Sequence, residues 1–386
     1  MRNVAVVGIG MTKFGELWDY SLRDIFTMAA IEAMDDAGCS TKDIEAFYVG
    51  SMSAGRFVGQ EHLGALLADY AGLKHVPATR VEGACASGGL ALREAYLAIK
   101  AGEYDVVMVG GIEKMSDLPT TEEVTTTLGA AADQEWETFV GLTFPGAYAL
   151  IAKVHMERYG TTREQLACVA VKNHKNGKNN PKAQFRREIT IEQVLSSGVV
   201  ADPLTLLDCS PISDGGAVAI VASEDVARKF TDTPVWIMSS GQAGDTIALH
   251  DRKDLTSLTA AKFASERAYR AANIGPKDVA FAEVHDCFTI AEIVATEDLG
   301  FFPAGEGGKA AEEGLTEVDG QIPVNPSGGL KAKGHPVGAT GVAQVVSVVE
   351  QLRGEADKRQ VNAPEIGLTH NIGGSGGTCV VHIFSR

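Results

Sequence analysis

A repeat restricts the fold more than any other feature of this chain. Residues 29–49 read AAIEAMDDAGCSTKDIEAFYV, and residues 264–284 read ASERAYRAANIGPKDVAFAEV. Lys42-Asp43-Ile44 recurs as Lys277-Asp278-Val279, from position 42 to position 277, an offset of 235. Ala33 and Ala37 recur at the same offset as Ala268 and Ala272. Each segment couples an amphipathic helix to an apolar strand. Ser87 to Gly102 and Gly338 to Gly354 form a second pair, both apolar helices that end in glycine. Self-similarity of this kind implies two like α/β halves packed together, with equivalent ends facing a common cleft. Two amphipathic helix–strand units can also resemble each other by chance, and that alternative stays open.

The chain between the repeats alternates in the same style. Residues 3–9 read as a buried strand, Ser21 to Ala37 as a helix stopped by Gly38, and Ile44 to Val49 as a second strand. Gly64 to Ala71 reads as a short helix and residues 78–82 as a strand leading to Cys85. A helix from Cys85 ends at Gly102, and Tyr104 to Val109 is a strand closed by Gly110-Gly111. Strands alternating with helices give the α/β class with a largely parallel sheet. Residues 117–140 are Thr-rich and acidic with little strand character. Residues 144–205 read as mostly helical and hold the most basic segment, Lys172, Lys175, Lys178, Lys182, Arg186 and Arg187. That segment is either a solvated helical face or a lid carrying cations for a phosphorylated ligand. The α/β pattern resumes at Asp214 to Val221, so 117–205 reads as an insertion. A second unit starts near Pro234, with Val235 to Ser239 as its first strand. The expected division is 1–116 with 206–232, the insertion 117–205, and 233–386.

The net charge of −16 over 386 residues argues against nucleic acid or an anionic membrane as the main partner. No apolar run approaches the roughly 20 residues that span a bilayer, and the N-terminus has no signal-type apolar region. The six cysteines are scattered and form no CxxC pair, which reads as cytoplasmic thiols, with neither a disulfide framework nor a structural metal site.

Four stretches carry chemistry. Val81 to Leu90 places Cys85 among Ala, Ser and Gly at the start of a helix. A helix N-terminus favours thiolate, small neighbours admit a substrate, and backbone N–H groups can hold an oxyanion. The plain alternative is a buried cysteine acting as a small hydrophobe. His285-Asp286-Cys287-Phe288 follows the strand Val279 to Val284, where functional loops collect; a lone buried His–Asp hydrogen bond is the alternative. Asn325-Pro326-Ser327-Gly328-Gly329, Lys331 and Gly334-His335-Pro336 run into the second apolar helix. His335 there can take a proton from a thiol, against a phosphate-cradling loop with an incidental histidine. His370 to Cys379 is a glycine-dense loop between apolar strands, offering free N–H donors or simply a hairpin turn.

Together these stretches resemble the thiolase superfamily over essentially the whole chain. Two departures point to a subtype. Ordinary thiolases have Asn-Glu-Ala-Phe where this chain has His285-Asp286-Cys287-Phe288, and Cys-x-Gly where it has Asn371-Ile372-Gly373. The second catalytic cysteine has thus moved to Cys287, as in the sterol-carrier-protein-2 type and its archaeal and bacterial relatives. The resemblance implies the thiolase fold, two βαβαβαββ halves in five αβαβα layers with an inserted helical loop domain. It implies a thiolase that cleaves a β-ketoacyl-CoA with CoA, or runs the reverse Claisen condensation, through an acyl-Cys85 intermediate. Acetoacetyl-CoA is the default substrate and a bulkier aromatic or branched one the alternative. By the resemblance His335 activates Cys85, Cys287 moves the α-proton, His285 donates to the enolate, and the N–H groups of Cys85 and Gly373 hold the other oxyanion. No cofactor is bound permanently and coenzyme A is a substrate; Lys182, Arg186 and Lys331 are the candidates for its phosphates. A homodimer or tetramer is implied, with an OB-fold zinc-binding protein and HMG-CoA synthase as further partners. A thiolase-like aldolase and an acyl-CoA carrier are the competing readings; aldolases of that kind lack the nucleophilic cysteine, and the retained Cys85, His285, Cys287 and His335 weigh against a carrier.

Overall fold

Two helices that nearly touch set the architecture, which a computed structural model describes for residues 2–386. Helices Ser87–Ala101 and Thr340–Arg353 each end on a left-handed glycine, Gly102 and Gly354. Their first turns cross so closely that a Cβ on Gly341 would lie 2.1 Å from the Gly89 nitrogen, and one on Gly88 would lie 2.7 Å from the Gly338 carbonyl oxygen. Only glycine permits such an approach. The second helix is apolar on nearly every side and buried throughout its first turns, as a helix enclosed between layers must be.

The strands are β1 (Val4–Met11), β2 (Ala46–Gly50), β3 (Ala78–Val81), β4 (Val106–Glu113), β5 (Val199–Ala201), β6 (Leu204–Thr205), β7 (Gly215–Ser223), β8 (Val235–Gly244), β9 (Phe281–Glu283), β10 (Ile366–Gly373) and β11 (Thr378–Ser385). Nine of them form one mixed sheet in the order β3-β2-β4-β7-β1-β8-β11-β10-β9. Assigning each strand its place within its own half makes this order palindromic about the β1–β8 pair, which joins antiparallel through Ala5 with Trp236 and Val6 with Val235. Val324 extends the far edge by a parallel bridge to Ala282, as β3 extends β2. The two crossing helices pack against strands of both halves. Helix Leu22–Ala37 covers β1 and β7 outside one half, and helix Thr259–Ala272 covers β8 and β11 outside the other. The fold is therefore the thiolase fold, with the repeat of residues 29–49 and 264–284 forming its two outer helices and the strands beside them.

The largest difference from expectation is at β4, which runs through Gly110-Gly111 to Glu113 instead of stopping at Val109. Those glycines are close-approach sites: a Cβ on Gly110 would sit 2.6 Å from the Phe26 ring, and one on Gly111 would sit 2.6 Å from the Gly338 carbonyl oxygen. Residues 117–140, expected to have little strand character, contain helix Thr121–Gly129 and a single π-helical turn at Gln134–Thr138. Helices Phe144–Tyr159 and Arg163–Lys178 follow, as their pattern predicts. The basic segment is largely neutralised: Lys172 pairs with Glu292 at 2.6 Å, Lys175 with Glu317 at 2.9 Å and Lys178 with Glu188 at 2.8 Å. No helix among the described residues is long and apolar enough to cross a membrane.

Candidate active site

In both halves the functional loops leave the C-terminal ends of parallel strands. Cys85 follows β3, Glu113 ends β4, His285 follows β9, and Gly374 follows β10. Side chains at such ends meet where the strand order of an α/β sheet opens a crevice. Here Cys85, His285, Cys287, His335 and Gly374 line one cavity of about 820 Å³, together with apolar groups that include Val124, Leu128 and Phe144.

Cys85 sits on a strained elbow. Ala84 has φ +52°, a left-handed conformation that costs a non-glycine residue about 1–3 kcal/mol. Hydrogen bonds hold it there. The Ala84 N–H donates to Glu82 Oε1 at 2.6 Å, Ser87 Oγ donates to the Ala84 carbonyl at 2.6 Å, and the Gly83 N–H donates to Ser87 Oγ at 3.0 Å. The elbow turns Cys85 into a 3-10 turn just ahead of helix Ser87–Ala101. Burial pushes the thiol up to about 12, against an opposing hydrogen bond from the Gly374 N–H. Burial thus opposes the thiolate that a helix terminus favours. Desolvation is the largest influence on the group, which rests as a thiol.

The imidazole between Gly334 and Pro336 is held by its neighbours. His335 Nδ1 lies 2.7 Å from Thr340 Oγ1, and that hydroxyl donates its own proton to the Pro336 carbonyl at 3.1 Å. With its proton so placed, Thr340 accepts from Nδ1–H, which leaves the lone pair of Nε2 free. Burial lowers His335 to about 3, so the ring is neutral. The backbone N–H of His335 donates to Ser213 Oγ at 3.0 Å. The buried Glu113 carboxylate accepts from the Gly338 N–H at 3.2 Å and the Met52 N–H at 2.7 Å, tying this loop to the end of β4.

One donor atom from each of Cys85, His285 and His335 lies within 4.8 Å of the others. The His285 and His335 rings meet edge to face with centroids 5.0 Å apart. His285 Nε2 is buried and has no protein partner, so it is available to a ligand. That spacing would also suit a metal ion, so the ring nitrogen that carries the His285 proton matters.

Cys287 is held by its backbone and by its neighbour. Asp286 accepts from the Leu330 N–H at 2.7 Å, the Lys331 N–H at 3.2 Å and Asn173 Nδ2 at 2.8 Å, fastening the loop from below. Tyr148, fully buried, hydrogen-bonds the Cys287 thiol and donates to the Gly374 carbonyl at 3.1 Å. Its ring stacks on Phe288 with centroids 4.7 Å apart. Burial raises Cys287 well above an ordinary thiol, and the tyrosine works in the other direction.

Two sequence expectations need correction. Gly373 does not line the cavity: it is paired with Thr378 in the β10–β11 ladder, and a Cβ there would sit 2.3 Å from the Gly83 carbonyl oxygen. The N–H beside the Cys85 thiol belongs to Gly374, one residue further, where φ +61° begins the turn. Lys331 is buried, its ammonium 3.4 Å from His174 Nε2, so it cannot meet a phosphate in solvent. Lys182 is engaged by Glu32 at 2.8 Å, whereas Arg186 is exposed beside Phe185 on the cavity wall. Tyr148, Thr340 and Gly374 were missed. A hydroxyl five residues after His335 was the available signal for Thr340; Tyr148, in helix Phe144–Tyr159, had none.

An acyltransferase is the class this fold and cavity define. The chain belongs to the thiolase family: the profile "Thiolase, N-terminal domain" matches residues 4–225 and "Thiolase C-terminal domain-like" matches residues 241–386. It is 58% identical over 386 residues to the acetyl-CoA acetyltransferase of Methanothermobacter thermautotrophicus, with 100% of both chains covered. It is 37% identical to sterol carrier protein 2 of Bos taurus, covering 100% of this chain and 72% of that one. Among solved structures it is similar to a chain of the Ltp2-ChsH2(DUF35) aldolase, with a TM-score of 0.86, 26% identity, and 100% and 98% of the two chains covered.

Proposed function

We propose that this thiolase cleaves and forms β-ketoacyl-CoA through an acyl group on Cys85, with acetoacetyl-CoA as its substrate. The observation that carries the assignment of residues is the shared cavity: two thiols and a neutral imidazole with a free Nε2 lone pair, drawn from both halves, line it. The identity to an acetyl-CoA acetyltransferase supports the small acyl group.

In the cleavage direction His335 Nε2 takes the Cys85 proton as the sulfur attacks the keto carbon. The tetrahedral oxyanion is held by the N–H groups of Cys85 and Gly374. Its collapse breaks the C–C bond, leaves the acyl group on Cys85 and places the electron pair in the enolate of acetyl-CoA. His285 Nε2–H donates to that enolate oxygen, and the Cys287 thiol gives its proton to the carbon. Tyr148 then turns its hydroxyl to the Cys287 thiolate. Coenzyme A enters, gives its thiol proton to Cys287 and attacks the acyl group, and Cys85 recovers its proton from His335. Each thiol and the imidazole return to their starting state, and one difficult step becomes two easier ones.

Residues 117–205 are, on this reading, an insertion in an N-terminal half made of 1–116 and 206–232, with 233–386 as the C-terminal half. Arg186 is retained as a contact for a CoA phosphate. A homo-oligomer and a small partner protein belong to the same proposal; the two-part name of the Ltp2-ChsH2(DUF35) aldolase supports a search for the latter. The aldolase chemistry itself is disfavoured by the retained Cys85 beside a base.

The test is covalent. Incubation with acetoacetyl-CoA in the absence of free CoA should leave an acetyl group on Cys85, seen by peptide mass, and Cys85→Ala should lose label and turnover together. Full turnover in Cys85→Ala would end the proposal. A panel of larger β-ketoacyl-CoA substrates would show whether acetoacetyl-CoA is preferred.

A further inference from the structure

We propose that Asn371 fixes the tautomer of His285, making Nε2 a hydrogen-bond donor into the cavity and withholding the Cys85–His285–His335 trio from metal ions. The idea builds on the enolate-binding role given to His285 above. Asn371 is buried at the end of β10 and touches both sides of the reaction centre. Its Oδ1 accepts the Gly89 N–H at 3.2 Å, and its Nδ2 donates to the Cys85 carbonyl at 3.0 Å. Reversing the amide would set N–H against N–H at Gly89 and oxygen against oxygen at Cys85. The orientation is therefore fixed twice by backbone groups that have only one polarity.

The same Nδ2 lies 3.2 Å from His285 Nδ1. An amide nitrogen cannot accept, so Nδ1 must. Burial, with His335 and His370 nearby, holds His285 well below its ordinary value, so the ring is neutral and carries one ring proton. That proton is then on Nε2, the nitrogen left without a partner. Space for the arrangement comes from two glycines: a Cβ on Gly341 would lie 2.3 Å from Asn371 Oδ1, and one on Gly89 would lie 2.9 Å from it.

Two consequences follow from one proton. Nε2–H can donate to an oxyanion without any change of charge. It also has no lone pair for a metal, although a Cys–His–His set with donor atoms within 4.8 Å would otherwise suit zinc. Moving the proton to Nδ1 would point it at the Asn371 Nδ2 hydrogens. Asn371 is thus a positioning residue, acting through His285.

The ring nitrogens of selectively ¹⁵N-histidine-labelled protein report the tautomer directly, with His285 assigned by the signal lost in His285→Asn. The expected result is the Nε2–H pattern at His285. An Nδ1–H pattern overturns this inference while leaving Cys85 acylation, measured separately, untouched. Asn371→Asp supplies a carboxylate that accepts from Nδ1–H and should invert the tautomer. Cobalt(II) affinity, read by thiolate-to-cobalt absorption, should then rise about 10–100-fold over wild type, the usual reach of a group hydrogen-bonded to a metal ligand. The paired variant Asn371→Asp with His285→Asn should bind cobalt no better than wild type. Equal tightening in that pair would assign the effect to added charge and overturn the proposal.

Discussion

Thr340→Val tests the base most sharply. The valine keeps the shape of the threonine but removes the oxygen that accepts from His335 Nδ1–H at 2.7 Å. The Pro336 carbonyl keeps a donor, the Ala339 N–H at 2.9 Å, so the change falls mainly on the imidazole. When His335 takes the Cys85 proton it becomes a cation, and the Thr340 bond becomes charge-assisted, worth about 1.5–3 kcal/mol. Its loss raises the barrier by that amount, or about 10- to 150-fold in the acylation rate at about 1.36 kcal/mol per tenfold. Without the hydroxyl the ring is also free to place its proton on Nε2, where it cannot act as a base. The assay is single-turnover acylation of Cys85 by acetoacetyl-CoA without free CoA, quenched and read by mass. Thr340→Ser retains the oxygen and should acylate close to the wild-type rate. A folded Thr340→Val protein that acylates as fast as wild type would refute the assignment of His335 as the base.

The pH profile of kcat/KM should be flat through the ordinary histidine range. Burial lowers His335 to about 3 and raises Cys85 to about 12, so the competent thiol–imidazole pair persists between those limits; an ascending limb near pH 6.5 that moves with Thr340→Ser would contradict this. Tyr148→Phe removes the hydrogen bond that lowers the Cys287 thiol. It should slow α-proton exchange into acetyl-CoA by about tenfold or more, with Cys85 acylation little changed; equal loss in both steps would remove Tyr148 from its role. Gly341→Ala puts a Cβ 2.1 Å from the Gly89 nitrogen. It should lower stability by about 1–3 kcal/mol or more, seen as a lower Tm, since backbone stands on the other side.

The parts legible in the sequence share a character. The two-half architecture could be read because helix and strand periodicities are local, and the 235-residue offset repeated them. Cys85 and His335 stood out in small-residue loops ahead of apolar helices, and His285 and Cys287 as polar groups at the end of an apolar strand. Gly110-Gly111 misled because glycine marks both a strand end and a close approach, and only the neighbouring Phe26 and Gly338 distinguish the two. The lysines misled for a similar reason: Lys172 and Lys331 are buried beside Glu292 and His174, residues far from them in sequence.

The amino-acid sequence alone determined the α/β class and the doubled plan, which follow from local periodicity and its repeat, whereas the roles expected of Cys85, Cys287 and His335 came from the resemblance those stretches carry. Tertiary structure decided which hydrogen each group carries. Whether Cys85 rests as a thiol, which nitrogen of His335 is bare, and which glycine offers its N–H depend on burial and on partners such as Asn371, 286 positions from Cys85. Protonation is set by the dielectric and the polar contacts around a group, and those exist only once the two halves have closed on each other.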